Sequence, residues 1–382
     1  MSRAKALKSL ASLLAPWFDF VVTRFCSSRM RDDHVLLVRL DAIGDFVLWL
    51  GAAQTLYRHC QLEGKRVTLL GNKAWASWAR ELGVADDIWA LEPARFMKQP
   101  GYRATWLRRI RRSGFGTVVH PTFSREFLTG DAIVRASRAP ERIGSTGDCA
   151  NTAPLFKRWS DGWYTRLVAA DPRPRMELQR HAEFMRGVTG QPFTAAIPSL
   201  PRTAPAFGTP HSGYAVLFPA ASWRGRMWPA DRFIEIGRRL IATGRQVVVS
   251  GGPADRPFCD PVRQGLGDQV IDLVAKTSLA ELAELLRGAD LIVTNETSAV
   301  HIGAAVDAPV VCLLGGGHYG RFAPYDVDDM ADRRQPAMAC SPMPCFHCNW
   351  QCIYPRAEDE PVRCIDAIGV EQVWQQCREM LA

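Results

Sequence analysis

The run from Val35 to Tyr57, VLLVRLDAIGDFVLWLGAAQTLY, constrains this chain more than any other stretch. A short, almost wholly apolar β-type run passes through Asp41-Ala42-Ile43-Gly44-Asp45 into a segment with helical spacing. Where a first strand feeds a helix, the free N–H groups and dipole of the helix start ordinarily receive a phosphate through a G-x-G-x-x-G loop. Here the turn has one glycine, and Asp45 places a fixed negative charge where the phosphate would sit. The fold reads as nucleotide-binding α/β, but this turn serves something other than phosphates.

The same alternation continues. Val35–Leu40, Val67–Leu70 and Thr117–Val119 read as strands of a parallel sheet, and Phe46–Tyr57, Trp75–Leu82 and Thr105–Arg112 as its helices. A helical stretch around His181–Val188 closes this half, and Gln191–Gly213, rich in proline, threonine and alanine, reads as a linker. The pattern then restarts. Tyr214–Phe218, Gln246–Ser250, Leu291–Thr294 and Val310–Leu314 read as strands, and Ala230–Ala242, Leu279–Leu286 and Ser298–Val306 as helices. At 382 residues the chain exceeds one ordinary domain. The expected division is an N-terminal segment 1–31, a first doubly wound domain 32–190, a linker 191–213 and a second such domain 214–382. Two open sheets of this kind are expected to face one cleft with their strand ends.

With 47% hydrophobic and 23% charged residues the composition is that of a globular protein, which excludes a disordered chain or a collagen-like fibre. The net charge of +8 suits anionic partners. No zinc finger, helix-turn-helix or RNP-like motif accompanies it, so nucleic acid is not expected as a partner. Arg108, Arg109, Arg111 and Arg112 read as a solvated helix face. In the first 31 residues, Leu7, Leu10, Leu13, Leu14, Trp17, Phe18, Val21, Val22 and Phe25 recur at three- and four-residue steps among basic residues. Pro16 and Asp19 spoil a spanning helix, and no secretory cleavage pattern is clear. Two readings stand: an amphipathic segment lying on an anionic membrane surface, or a helix packed on the protein's own body.

Three constellations carry chemistry. Asp45 is either a helix N-cap or a general base that accepts a proton from an attacking hydroxyl, with Asp41 the competing acid. Thr294-Asn295-Glu296-Thr297-Ser298-Ala299-Val300-His301 follows a strand and opens a helix. Thr297 and Ser298 there form an anion site, Glu296 is placed to accept ribose hydroxyls, and His301 is either a phosphate donor or a packed helix histidine. In Phe218 to Pro229, Ser222, Arg224 and Arg226 follow a strand end, and arginine binds phosphate through paired hydrogen bonds.

Together, Arg39-Leu40-Asp41-Ala42-Ile43-Gly44-Asp45, Ser222 to Pro229, and Glu296 to His301 with Ala304-Ala305 and Pro309-Val310-Val311 resemble the ADP-heptose:lipopolysaccharide heptosyltransferases of glycosyltransferase family 9. The similarity runs from about Val35 to the C-terminus. It implies GT-B architecture, with two Rossmann-like doubly wound domains facing a cleft. It also implies inverting transfer of a heptose or related sugar from an ADP-sugar to a lipopolysaccharide or other glycolipid or glycan, with no metal needed. Asp45 falls on the family's catalytic aspartate, and Ser222 and Arg226 on positions that hold the donor diphosphate. Asp255 falls near an acid that contacts the nucleotide, and Thr297, Ser298 and His301 on the helix-start phosphate site. The family's usual Asp-Ser/Thr-Gly appears as Glu296-Thr297-Ser298, and a common lysine as Arg226, which changes the shape of the donor pocket. The expected enzyme is cytoplasmic, peripheral on the inner face of the cytoplasmic membrane through its N-terminal segment. The rivals are an NAD-dependent oxidoreductase, opposed by the missing G-x-G-x-x-G, and a non-catalytic, metal-stabilised nucleotide-sugar-binding protein.

Of 11 cysteines, Cys340, Cys345, Cys348, Cys352, Cys364 and Cys377 fall in the tail. Cys345, Cys348, Cys352 and Cys364 have a spacing that four thiolates can use around a structural zinc or iron. Free thiols are the alternative, and a disulfide framework is less expected without an export signal.

Overall fold

Strand β1 (Arg31–Arg39) is fully buried from Val35 onward, as its apolar run requires, and it lies at the centre of a six-stranded sheet. The computed structural model describes residues 3–204, 208, 210, 212–327 and 333–382, with side chains from residue 13. Leu7 and Leu10 of the N-terminal apolar stripe therefore lie outside the described side chains. The chain divides into two units, one running to Arg173 and including Arg180–Thr194, the other comprising Pro174–Gln179 and the chain from Ala195 onward.

The first unit adds β2 (Arg66–Asn72), β3 (Asp87–Leu91), β4 (Phe115–His120), β5 (Glu141–Ser145) and β6 (Arg166–Val168). All are parallel, in the order β3-β2-β1-β4-β5-β6. Its helices are α1 (Arg3–Thr23), α2 (Ile43–Leu62), α3 (Ala76–Glu81), α4 (Pro93–Lys98), α5 (Pro100–Ser113), α6 (Ala132–Ser137) and α7 (Pro154–Asp161). Helix α8 (Glu177–Thr189) completes it, with its first turn grouped in the second unit.

The second unit carries β7 (Tyr214–Phe218), β8 (Gln246–Val249), β9 (Val270–Asp272), β10 (Leu291–Asn295), β11 (Val310–Leu313) and β12 (Ala337–Ala339). Their order is β12-β11-β10-β7-β8-β9, again all parallel. Helices α9 (Ala230–Ala242), α10 (Arg256–Leu266), α11 (Leu279–Arg287), α12 (Ser298–Ala305), α13 (Arg363–Asp366) and α14 (Val370–Leu381) connect and close it. Counted within each unit, both sheets have the strand order of dinucleotide-binding domains. That order reverses between β1 and β4 in one unit and between β7 and β10 in the other, and crevices for ligands open at the carboxyl ends of such strand pairs.

Of the stretch expected as a linker, residues 195–204 belong to the second unit, where Leu200 N donates to Ala305 O (3.2 Å). Residues 205–207, 209 and 211 lie outside the described residues. Helix α1 packs on α5 and α6. Asp19 is buried there, taking Arg103 Nε and Nη2 at 2.6 Å each. No helix of the described residues is long and apolar enough to cross a membrane.

Candidate functional site

In the second unit, β7 and β10 pair in parallel with Phe218 opposite Thr294, so the loops that leave their carboxyl ends start side by side. After β7, Pro219 to Trp223 lead into a single 3-10 turn, Arg224–Arg226. After β10, Glu296 and Thr297 lead into α12. Asn295 ties the two loops together: its Nδ2 donates to Pro219 O (2.6 Å), and its Oδ1 accepts from Trp228 N (3.0 Å).

Arg226 is the hub. Its Nη2 donates to the Glu296 carbonyl (2.7 Å) and its Nη1 to Ser222 Oγ (3.2 Å), and its guanidinium lies over the Trp350 ring, 4.8 Å from the centroid. The Glu296 carboxylate is buried, with Oε2 3.4 Å from Arg226 Nη2. Burial pushes the Glu296 carboxyl up to about 7, against the opposing pull of the Arg226 charge. Glu296 Oε2 and Arg226 Nε are both buried without a hydrogen-bond partner. A pair of unsatisfied polar atoms at a strand-end crevice is a place for a ligand to complete.

The remaining expected residues divide. Thr297 is the N-cap of α12, its hydroxyl accepting from Ala299 N (3.3 Å) and lying 3.2 Å from Thr294 Oγ1. Its hydroxyl therefore holds the helix start. The half-buried Ser298 takes no side-chain partner among the described residues. His301 is buried, with Nδ1 2.7 Å from the Tyr325 hydroxyl, and burial lowers it to about 4. It is a buried, neutral imidazole with Nδ1 taken up by Tyr325. Asp255 ends a short turn after β8, next to β7 in the sheet. Its Oδ2 accepts from Gly252 N (2.7 Å), burial raises its carboxyl, and it does not join the Arg226 cluster.

The cysteine-bearing loop closes over this site. Gly316 and Gly317 follow β11, and a Cβ on either would meet the ring of Phe346 (2.2 Å) or Trp350 (2.3 Å). The glycine run thus admits aromatic side chains against the backbone. His318 fixes the loop, accepting from Trp350 Nε1 (3.2 Å) at Nδ1 and pairing through Nε2 with Asn349 Oδ1 (2.8 Å). Sequence reasoning missed Trp350, whose only signal was its place among the cysteines. All 11 cysteines are unpaired. Cys345, Cys348, Cys352 and Cys364 line one void of about 10 Å³. Burial, then the neighbouring thiols, raises the Cys364 thiol. Among the described residues no group of three or more metal-ligating side chains stands close enough to hold an ion, so the expected site is not assembled as a cluster.

In the first unit the equivalent crevice lies between the ends of β1 and β4. Arg39 is buried, its Nε 2.8 Å from Asp41 Oδ2, its guanidinium 5.6 Å from the Trp49 centroid. Thr122 Oγ1 also donates to Asp41 Oδ2 (3.1 Å), while Asn72 Nδ2 (3.2 Å) and Trp75 Nε1 (2.9 Å) donate to the Asp41 carbonyl. The N-cap of α2 is Ala42, not Asp45, and makes no side-chain capping bond. Asp45 is the third residue of the helix and half-buried. Its backbone carbonyl lies 3.5 Å from Arg39 Nη2.

A cavity of 490 Å³ opens beside this turn, lined by Asp41, Asn72, Met97, His120, Thr122, Ser124 and Glu126 among others. Asp41 lines it and Asp45 does not. His120 was not singled out from the sequence, although the strand read as Thr117–Val119 pointed at it. Its Nδ1 lies 2.8 Å from the Tyr164 hydroxyl, which donates to Asp131 Oδ1 (2.6 Å), and Arg125 pairs with both Asp131 and Asp161. Burial lowers His120 to about 3, so the cavity floor is neutral there.

The model of "Glycosyltransferase family 9 (heptosyltransferase)" matches residues 131–351, more than half of the chain. The chain belongs to glycosyltransferase family 9. Ser222, Arg226, Asp255 and the Glu296–His301 segment lie inside the match, and Asp45 lies outside it. Lipooligosaccharide heptosyltransferase 2 of Haemophilus influenzae is 31% identical over 94 residues, which are 24% of this chain and 27% of that protein. The matches to the curated relatives cover between 27% and 50% of those proteins' length. Among solved structures, a glycosyl transferase family 9 protein from Veillonella parvula superposes with a TM-score of 0.68 at 15% identity, covering 93% of this chain and 99% of that one. E. coli heptosyltransferase WaaC with ADP-2-deoxy-2-fluoro heptose gives a TM-score of 0.60 at 18% identity, covering 91% and 99%. The α/β fold of GT-B type expected from the sequence is thereby met.

Proposed function

We propose that this chain is an inverting glycosyltransferase that moves a heptose or related sugar from an ADP-sugar to a lipopolysaccharide or other glycan acceptor. The observation that carries this is Arg226, held by Ser222 and the Glu296 carbonyl at the strand-order reversal of the second unit, with a buried Nε still to be satisfied. A guanidinium so placed suits a diphosphate, the start of α12 adds N–H groups, and the Glu296 carboxyl suits a sugar or ribose hydroxyl. The WaaC complex named above supports ADP as the nucleotide.

The acceptor is assigned to the first unit. Asp41 has Oδ2 engaged by Arg39 and Thr122, which fixes its carboxylate and makes it a good orienting group. Asp45 then removes the proton of the acceptor hydroxyl as its oxygen attacks the anomeric carbon, and the bond from that carbon to the diphosphate oxygen breaks on the opposite face. Arg226 and the α12 start take up the charge on the departing ADP, the kind of electrostatic stabilisation that supplies much of an enzyme's rate.

Titration of ADP, GDP and UDP against the purified protein, then mass analysis of an acceptor incubated with the matching heptose donor, tests the reading. ADP should bind best, and the product should carry one added sugar of inverted configuration. Asp45→Asn should lower transfer at least about a hundredfold with donor affinity kept, as loss of a general base does. Full transfer by Asp45→Asn would remove the base assignment.

A further inference from the structure

Helix α1 shows its apolar side to solvent. Pro16, Asp19, Thr23 and Cys26, at three- and four-residue steps, are buried against the first unit. The complementary stripe, Leu13, Leu14, Trp17, Phe20, Val21 and, past the helix end, Phe25, is exposed, with Trp17 at 71% and Phe25 at 87%. The one acid of this segment is turned inward onto Arg103, so the exposed side carries no carboxylate between Leu13 and Phe25. Single exposed apolar residues are ordinary, but a contiguous stripe of six large ones marks a contact surface.

A second feature adjoins it. At the amino ends of β1, β2 and β4, the edge of the sheet opposite the Asp41 cavity, lies a concavity of 830 Å³. Arg31, Arg66, Arg108, Arg109 and Arg112 line it, with Asp87 the single acid. None of these five arginines is in an ion pair among the described residues, and Asp87 is occupied by Trp89 Nε1 (2.6 Å). The face read from sequence as merely solvated thus shares a concavity with Arg31 and Arg66. Arg108 joins the two features, since its Nε donates to Val22 O at the end of α1 (3.2 Å). Arg24 adds a further cation over the Phe25 ring.

We propose that the exposed stripe of α1 and the adjoining arginine basin form one docking surface for an anionic lipid bilayer, with the apolar side chains entering the headgroup boundary and the guanidiniums meeting lipid phosphates. The helix lies in the plane of the membrane and does not cross it. The charge pattern selects this occupant over a second copy of the chain, because two copies meeting through this surface would bring unpaired arginines together. A helix of this kind gains affinity from apolar burial and from each cation near the surface. The inference is independent of the transferase reading.

Co-sedimentation of the full-length protein with vesicles of phosphatidylcholine, alone or mixed with phosphatidylglycerol, tests it. The protein should partition onto the mixed vesicles, less onto the neutral ones, and raised salt should weaken the difference. Trp17→Ser combined with Phe25→Ser should reduce binding at least about tenfold on both vesicles. Arg66→Gln and Arg112→Gln should each reduce it about fivefold on the mixed vesicles only. All four side chains are exposed, so the unfolding midpoint should not move. Wild-type protein left in the supernatant with both vesicles overturns the proposal. So does binding that neither pair of substitutions changes. A dimer that ignores vesicles and is broken by Trp17→Ser with Phe25→Ser assigns the face to self-association instead.

Discussion

Glu296 shows how a single residue's chemistry is set by what covers it. Next to Arg226 a carboxylate would ordinarily be held ionised, yet burial outweighs the cation and brings its pKa up to about 7. The folded-state pKa lies above the unfolded value of 4.5, so the stabilising contribution is complete below about pH 4.5 and is lost as pH rises toward 7. Glu296→Gln should flatten that part of the stability profile, read as the pH dependence of the difference in unfolding free energy between variant and wild type in denaturant titrations. A parallel slope from pH 4.5 to 7 would rule out a buried, protonated Glu296. The sequence displayed Glu296 and Arg226 as neighbours of a helix start and a strand end, because both positions follow from the βα pattern. It did not display their burial or that His301 would be neutral, because those depend on Tyr325 and Trp350, which reach the site from other loops.

Elements differ in how much of their place is written in their own residues. Central strands such as β1, β7 and β10 are buried along their apolar runs and were legible. Strands β6, β9 and β12 have only three residues each and end their sheets, with a single partner strand to bury against, so none is long enough to show a strand pattern of its own. Helix α1 was legible as amphipathic, but which face it buried was not, since Arg103, the partner that takes Asp19 inward, lies 84 residues away in the chain. That pair is buried on both sides, and removing one partner of such a pair commonly costs about 3–5 kcal/mol. Asp19→Ala should therefore loosen α1, raising amide exchange along the helix, whereas Asp19→Asn with Arg103→Gln should recover much of the loss. The Cys345–Cys352 loop matters through Trp350. Trp350→Ala removes the ring under Arg226, a contact of about 1 kcal/mol, and should weaken ADP binding about fivefold by titration calorimetry.

At the scale of the whole molecule, the two units repeat one strand order but place opposite charges at its reversal. The first unit puts Asp41 and Asp45 after its first strand, and the second puts Arg226 after its own. This asymmetry was legible in the opening turn, where an acid stands in the phosphate position, and under the proposed function it separates proton transfer from diphosphate binding. The two functions should then be separable by mutation. Arg226→Ala removes a charge-assisted donor from the diphosphate and should raise the dissociation constant for ADP by about ten- to a hundredfold, in line with about 1.5–3 kcal/mol for such a bond. Asp45→Asn should leave that constant unchanged and lower the rate of transfer at saturating donor. Residues that share no partner have additive effects, so the double variant should bind ADP as weakly as Arg226→Ala alone and transfer no faster than Asp45→Asn alone. Calorimetry for ADP together with single-turnover transfer measures both quantities on the same proteins. A loss of ADP binding in Asp45→Asn would place Asp45 in the donor site and undo the division of labour between the units.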